Sequence, residues 1–148
     1  MTNTNSGTVS ILSPATNAVI ATIVVGGGPQ EVVVHPDGSR VYVTGRDISA
    51  VSVLNPDAPA TADADAVVAS VPVGEFPVSV AVHPDGTRVY VLNHDSNTIS
   101  VISLATNAVI STVEPPPGEQ ERKMWVMDSC SAGKGSSSRV WGQKKLCR

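Results

Sequence analysis

Nine residues of this chain recur almost unchanged. His35-Pro36-Asp37-Gly38-Ser39-Arg40-Val41-Tyr42-Val43 returns as His83-Pro84-Asp85-Gly86-Thr87-Arg88-Val89-Tyr90-Val91, 48 positions later. Val9-Ser10-Ile11-Leu12 returns at Val51-Ser52-Val53-Leu54, offset 42, and at Ile99-Ser100-Val101-Ile102, offset 90. Ala15-Thr16-Asn17-Ala18-Val19-Ile20 returns as Ala105-Thr106-Asn107-Ala108-Val109-Ile110, again at 90. The basic period is therefore 42 residues, and the middle copy carries six more within Asn55–Ala66. A tandem period of this size means one supersecondary unit used repeatedly, each copy covering an apolar face of its neighbour.

Four strand-like runs fill each unit. Strand A is Glu31–His35 and Ser79–His83; strand B is Arg40–Thr44 and Arg88–Leu92. Strand C is Thr8–Leu12, Ala50–Leu54 and Thr98–Ile102; strand D is Val19–Val25, Val67–Val73 and Val109–Val113. All are rich in β-branched residues and bounded by turn residues, which favours strand over helix. The run Val32-Val33-Val34 predicts that strand A is covered on both faces. The alternation of apolar residues with Ser predicts a strand C nearer the rim. Pro36-Asp37-Gly38 and Pro84-Asp85-Gly86 read as hairpin turns: Pro fixes φ at the first corner and Gly takes the left-handed position. Asn17 and Asn107 tolerate that conformation and are placed in the C–D hairpins. Pro72 suits an edge strand, which lacks an outer partner for its missing N–H.

Four antiparallel strands per 42 residues is the unit of a β-propeller. The Tyr42-Val43-Thr44 and Tyr90-Val91-Leu92-Asn93 segments, the Pro-Asp-Gly turns, the Ala-Thr-Asn turns and the elements Gly26–Pro29 and Gly74–Pro77 carry a resemblance. Over about residues 5–117 the chain resembles the YVTN β-propeller repeat, of the YncE-like and surface-layer type. Asn93 keeps the Asn of that motif and Gly45 replaces it. The predicted fold is all-β: a partial, open propeller of four-stranded antiparallel blades, about two and a half in number. The predicted division is a half blade at 5–25, a blade at 29–74 and a blade at 77–113, within a repeat region 1–117. A β-sandwich with an accidental duplication is the alternative, and the nine-residue near-identity argues against it.

Composition changes near Glu114. Seven of ten Lys and Arg residues, both Trp, both Cys and two of three Met fall in the last 35 residues. Residues 1–113 carry a formal charge of −6 and residues 114–148 carry +3. The next Pro-Asp-Gly turn and Arg-Val-Tyr segment do not appear at their due positions. Residues 118–148 are expected to be a poorly ordered tail, either a diverged blade or an out-of-frame ending on a truncated repeat protein; the shift in composition favours the second. Open blade faces expose apolar surface, so self-association is expected.

Strand direction places the A–B and C–D turns on one face and the B–C and D–A loops on the other. Arg46, Asp47, Glu75, Phe76, His94 and Asp95 fall on the second face, where the resemblance implies binding. They are the candidate binding residues, since loops carry function more often than strands do; solvated loop polarity is the alternative. His35 and His83 are repeat equivalents expected to hydrogen-bond beside their turns. No metal site is predicted, because three or four converging ligands are needed and no third partner for His94 and Asp95 can be named. Asp63 and Asp65 read as rim-loop carboxylates. Gly26-Gly27-Gly28 fails the dinucleotide fingerprint, and Gly133-Lys134-Gly135-Ser136 fails the P-loop. No activated nucleophile is identified, and Cys130 and Cys147 read as two thiols in the tail.

Three functional readings follow. The first is a non-enzymatic module binding protein, peptide or glycan, with no cofactor. The second is a remnant of a propeller enzyme or a metal- or quinone-dependent protein, as lactonase-like relatives of such repeats imply. The third is a truncated product without independent function. A net charge of −3 argues against nucleic acid. No run of 18 apolar residues predicts a membrane-spanning helix. Residues 1–10 lack the pattern of a signal peptide, which taken literally leaves the chain where it is made. Similar propellers are often exported or attached to the envelope, so the compartment stays open.

Overall fold

The computed structural model describes residues 1–58 and 66–114. The expected tail 118–148, with Cys130 and Cys147, and the carboxylates Asp63 and Asp65 lie outside the described residues.

Eleven strands form three antiparallel sheets among the described residues. The first holds β1 (Thr2–Asn3), β2 (Thr8–Leu12) and β3 (Val19–Val24). The second holds β4 (Pro29–Val34), β5 (Val41–Gly45), β6 (Ala50–Leu54) and β7 (Val67–Pro72). The third holds β8 (Pro77–Val82), β9 (Arg88–Asn93), β10 (Thr98–Ser103) and β11 (Ala108–Val113). Strands pair in chain order within each sheet, as meanders joined by short turns must. This is a partial propeller, all-β as expected. The strand β1 was not anticipated: it stands where β5 and β9 stand, so the first sheet holds three strands of the unit rather than two.

The turns form for the reasons the sequence offers. His35 N–H donates to the Arg40 carbonyl and Gly38 N–H to the His35 carbonyl, each at 2.8 Å; His83–Arg88 and Gly86–His83 repeat both bonds at 2.8 Å. Asp37 Oδ1 accepts from Ser39 N–H, and Asp85 Oδ1 from Thr87 N–H, each at 2.8 Å. Asn17 and Asn107 have φ of 55° and 49°, the left-handed values expected of them. Pro72 ends the edge strand β7. A bulge recurs at the same repeat position in all three sheets, after Ile11, Val53 and Val101. Bulges sharpen local twist, so each sheet bends alike and its neighbour fits the same surface.

Burial follows the sheet-on-sheet arrangement. Tyr42, Val51, Val53 and Val71 of the second sheet pack with Val80, Val89, Val91 and Ile102 of the third. Val43, Leu54 and Ala66 pack with Val9 and Ile23 of the first. The alternation along β5 thus sends Tyr42 one way and Val43 the other. Glu31 adds a polar tie, accepting at Oε2 a 2.7 Å hydrogen bond from Val80 N–H in the third sheet.

Val32 and Val33 of strand A pack against clusters on opposite faces, as expected, with Val34 56% exposed at its end. One expectation is corrected: the serines of strand C do not mark the rim. Ser10, Ser52 and Ser100 are all buried, and Ser10 and Ser100 accept hydrogen bonds from asparagine side chains.

Candidate functional site

The loops entering each A strand and those joining B to C meet at one end of the sheets. Asp47 N–H donates to the Gly27 carbonyl at 3.0 Å and Arg46 N–H to Gly28 at 3.3 Å. The third sheet repeats the pattern: Asp95 N–H to Glu75 at 3.2 Å and His94 N–H to Phe76 at 2.9 Å. These bonds lock two loops of each sheet together, so side chains they carry are held by the fold rather than by each other.

Beneath the third sheet's loops lies a polar network that residue-by-residue reading missed. Asn93 is fully buried, and its Nδ2 donates to Thr98 Oγ1 at 3.0 Å and Ser100 Oγ at 2.9 Å. Ser96 Oγ lies 3.0 Å from Thr98 Oγ1 and accepts from Glu75 N–H at 3.1 Å. The Asn93 Oδ1 accepts no hydrogen bond among the described residues, so the contribution of this side chain comes from its NH2 group. The first sheet has the same network: Asn3 Nδ2 to Thr8 Oγ1 at 3.1 Å and to Ser10 Oγ at 2.8 Å, with Ser6 Oγ 2.9 Å from Thr8 Oγ1. In the second sheet the corresponding residues are Gly45, Ile48 and Ala50. Ile48 occupies the room that Gly45 vacates, since a Cβ on Gly45 would lie 2.7 Å from Ile48 Cγ1. An apolar plug replaces a hydrogen-bonded one at equivalent positions. The signal was in the sequence: the 42- and 90-residue offsets extend back to Asn3.

On this platform five of the six candidate binding residues come together. The Arg46 guanidinium lies 5.4 Å from the centre of the Phe76 ring, within cation–π range. Phe76 and His94 have ring centres 5.7 Å apart, tilted by 54°. Arg46 Nε donates to Asp47 Oδ1 at 2.7 Å, and His94 Nδ1 lies 2.7 Å from Asp95 Oδ1. Asp47 raises the Arg46 pKa, chiefly through that hydrogen bond, and so keeps the guanidinium charged. Glu75 sits beside them in the Phe76 loop, exposed. The side chains of His94 and Asp95 are 66% and 53% exposed, open to a ligand.

Phe76 is held at φ 55°, a backbone region that a bulky L residue rarely enters. Its equivalent in the second sheet is Gly28, at φ 56°. Such strain costs on the order of 1–3 kcal/mol and concentrates at functional sites. The consequence here is an aromatic ring projected between Arg46 of one sheet and His94 of the next. The set offers a π face, a guanidinium, an imidazole and carboxylates. That suits recognition of a partly polar ligand, and no side chain in it is poised as a nucleophile.

The six turn residues Pro36, Asp37, Gly38, Pro84, Asp85 and Gly86 lie in the A–B turns at the opposite end. Both histidines bond beside their turns as expected: His35 Nδ1 lies 2.5 Å from Asp37 Oδ1 and His83 Nδ1 lies 2.8 Å from Asp85 Oδ1. Among the described residues no group of three or more His, Cys, Asp and Glu side chains could hold a metal ion. No helix among them is long and apolar enough to cross a membrane.

Residues 4–120 match the family described as lactonase, 7-bladed β-propeller. No curated protein matches the chain. Hydrazine synthase of Kuenenia stuttgartiensis is similar in structure, with a TM-score of 0.70 and 23% identity over 77% of this chain and 31% of that one. A functionally unknown protein of Desulfotomaculum acetoxidans gives 0.67 and 19%, over 78% and 36%. A candidate 6-phosphogluconolactonase of Bacteroides fragilis gives 0.58 and 21%, over 76% and 34%. This chain spans about a third of the length of each.

Proposed function

This chain belongs to the lactonase family of seven-bladed β-propellers, and on that premise we propose that it is a propeller segment that binds a protein, peptide or glycan through its B–C/D–A loop face. One observation carries the reading: Phe76, at a left-handed φ of 55°, between Arg46 at 5.4 Å and His94 at 5.7 Å. A solvated loop gains nothing from a strained aromatic, whereas a binding face gains an apolar platform flanked by charge. Within the family we place the repeat nearest the YVTN, YncE-like subtype, on its Tyr-Val-Thr and Tyr-Val-Leu-Asn segments. We read residues 1–117 as the repeat-bearing part and 118–148 as a separate segment; the family match, which stops at 120, supports that division.

The second reading is a segment of a lactonase-like enzyme, and the family match itself favours it. On this reading the same face would contribute to a substrate site whose remaining groups come from other blades.

One experiment separates the two. The purified chain is screened against glycan and peptide arrays and assayed for sugar-lactone hydrolysis, beside the Phe76→Ala and Arg46→Ala variants. Binding that both variants lose, with no hydrolysis, supports the module. Hydrolysis that falls in the same variants supports the enzyme. Binding that both variants retain would remove this face from either account.

A further inference from the structure

The charge on the loop face is one-sided. Residues 1–113 hold three basic side chains, Arg40, Arg46 and Arg88. Arg40 and Arg88 follow the Pro-Asp-Gly turns at the other end of the sheets. Of the three, only Arg46 lies among the B–C and D–A loops, in the company of Asp47, Glu75 and Asp95. Its charge is already matched: Nε donates to Asp47 Oδ1 at 2.7 Å and Nη2 to Asp47 Oδ2 at 3.4 Å. Its guanidinium plane is taken up by the Phe76 ring. Glu75 has no cationic partner among the described residues, and Asp95 has only His94. With His94 neutral, Glu75 and Asp95 are carboxylates whose charge nothing in the face cancels.

Backbone hydrogen bonds fix where these groups stand. Asp95 N–H donates to the Glu75 carbonyl at 3.2 Å and His94 N–H to the Phe76 carbonyl at 2.9 Å. Glu75 therefore stands opposite Asp95, and Phe76 opposite His94. Glu75, His94 and Asp95 are exposed and Phe76 is half-buried. The repeat itself does not require this set. In the second sheet the same bonds run from Asp47 and Arg46 to Gly27 and Gly28. A side chain on Gly28 would meet Asp47 Oδ2 at 2.5 Å. Two glycines satisfy the fold at these positions, and the third sheet instead carries a carboxylate and a ring there.

Resting on the reading of this end as a binding face, we propose that its ligand is a basic peptide segment. A Lys or Arg side chain of the peptide pairs with the Glu75 and Asp95 carboxylates, its alkyl stem against the Phe76 ring. Opposite charge steers such a partner in and disfavours acidic ones. An aromatic face accepts both the methylene stem and the cationic head. An anionic ligand, such as a sugar bearing phosphate or carboxylate, meets two unmatched carboxylates and an Arg46 whose fork is already occupied. A neutral glycan stacks on the ring but gains nothing from the charge.

The test is fluorescence anisotropy on the full chain with fluorescein-labelled peptides. One alternates Gly with Arg, and two counterparts carry Gln or Glu in place of Arg. The Arg peptide should bind at least about tenfold more tightly than the Gln peptide, and the Glu peptide should not bind. Raising NaCl from about 20 to about 200 mM should remove most of that margin. Glu75→Gln and Asp95→Asn should each weaken the Arg peptide about threefold, as loss of an exposed ion pair does. Asp57→Asn removes a carboxylate from the C–D turn at the other end. It should leave the affinity unchanged within about twofold, because salt screens so distant a charge. The peptide series on the wild type reads the charge preference even where a variant fails to fold. Equal binding of the Arg and Gln peptides overturns the proposal, as does equal loss in Asp57→Asn, which would mean that net charge alone is read. No binding of the Arg peptide overturns it too. If the arrays then return a neutral or acidic ligand that Phe76→Ala loses, the binding face stands without its basic ligand. If Phe76→Ala loses no ligand of any charge, both readings fall.

Discussion

His35 Nε2 lies 3.0 Å from the carbonyl oxygen of Gly86, a contact between the A–B turns of neighbouring sheets. Gly86 permits it, since a Cβ there would sit 2.8 Å from that nitrogen. The other ring nitrogen faces Asp37 Oδ1. Nε2 thus faces an acceptor, while Nδ1 faces both the Asp37 carboxylate and the Asp37 N–H, which donates to it at 3.3 Å; the imidazolium donates to both oxygens at once. The Gly86 carbonyl is the main reason the His35 pKa is raised; burial opposes it, and Asp37 adds to the rise.

A folded-state pKa above the unfolded value makes the contact fully effective at low pH and lost as pH rises through the folded value. The melting temperature should therefore fall as pH is raised from about 6 to 8, by the usual histidine range. In His35→Gln that slope should flatten. Thermal melts at four pH values read this directly.

The acid limb has a different origin. Hydrogen bonds from Ser39 lower Asp37 to about 2, and hydrogen bonds from Thr87 lower Asp85 to about 2. Depressed carboxylate values contribute stability above the ordinary pKa that disappears as pH falls through the folded one. Stability should thus drop between about pH 4 and 2. Asp37→Asn with Asp85→Asn should shrink that drop while lowering the plateau at neutral pH. Circular dichroism during acid titration checks both effects.

Gly45 and Ile48 should behave as a coupled pair. Gly45→Asn alone forces a side chain into the space Ile48 fills, a cost of about 1–3 kcal/mol from overpacking. Adding Ile48→Ser and Ala50→Thr, beside the native Ser52, rebuilds the network in which Asn93 donates to Thr98 and Ser100 and Ser96 contacts Thr98, so the triple variant should recover at least half of the loss. Urea unfolding of the single, double and triple variants measures it.

Glu31→Ala leaves the Val80 N–H without its 2.7 Å acceptor between sheets. The expected cost is about 1–3 kcal/mol, and Glu31→Gln, which keeps an acceptor oxygen, should lose less. Urea unfolding and amide exchange at Val80 both report on it.

Most of the fold was legible in the sequence because the repeat is close to literal. The Pro-Asp-Gly turns fix local hairpins, and the tandem copies require stacking. What escaped was β1, only two residues long and without a β-branched run. The burial of Ser10, Ser52 and Ser100 also escaped, because alternation says which face a residue shares and not whether a neighbouring sheet, or for Ser10 the Asn3 side chain, covers it. The candidate face was legible as loops on one end. The meeting of Arg46 with Phe76 was not, because they come from different sheets and Phe76 adopts a φ its residue type does not suggest. The Glu31–Val80 tie was illegible too: a backbone N–H leaves no mark in composition or spacing.

The face-to-face stacking of repeated sheets is tested most directly by proton–proton contacts from the Tyr42 and Tyr90 rings in solution. Tyr42 should show cross-peaks to methyls of Val80, Val89 or Val91, residues 38 to 49 positions distant that share its cluster. Tyr90 should show none to residues of the second sheet beyond those reached through its own strands. A Tyr42 ring with contacts only inside Pro29–Pro72, or the same contact pattern for both rings, would contradict the account.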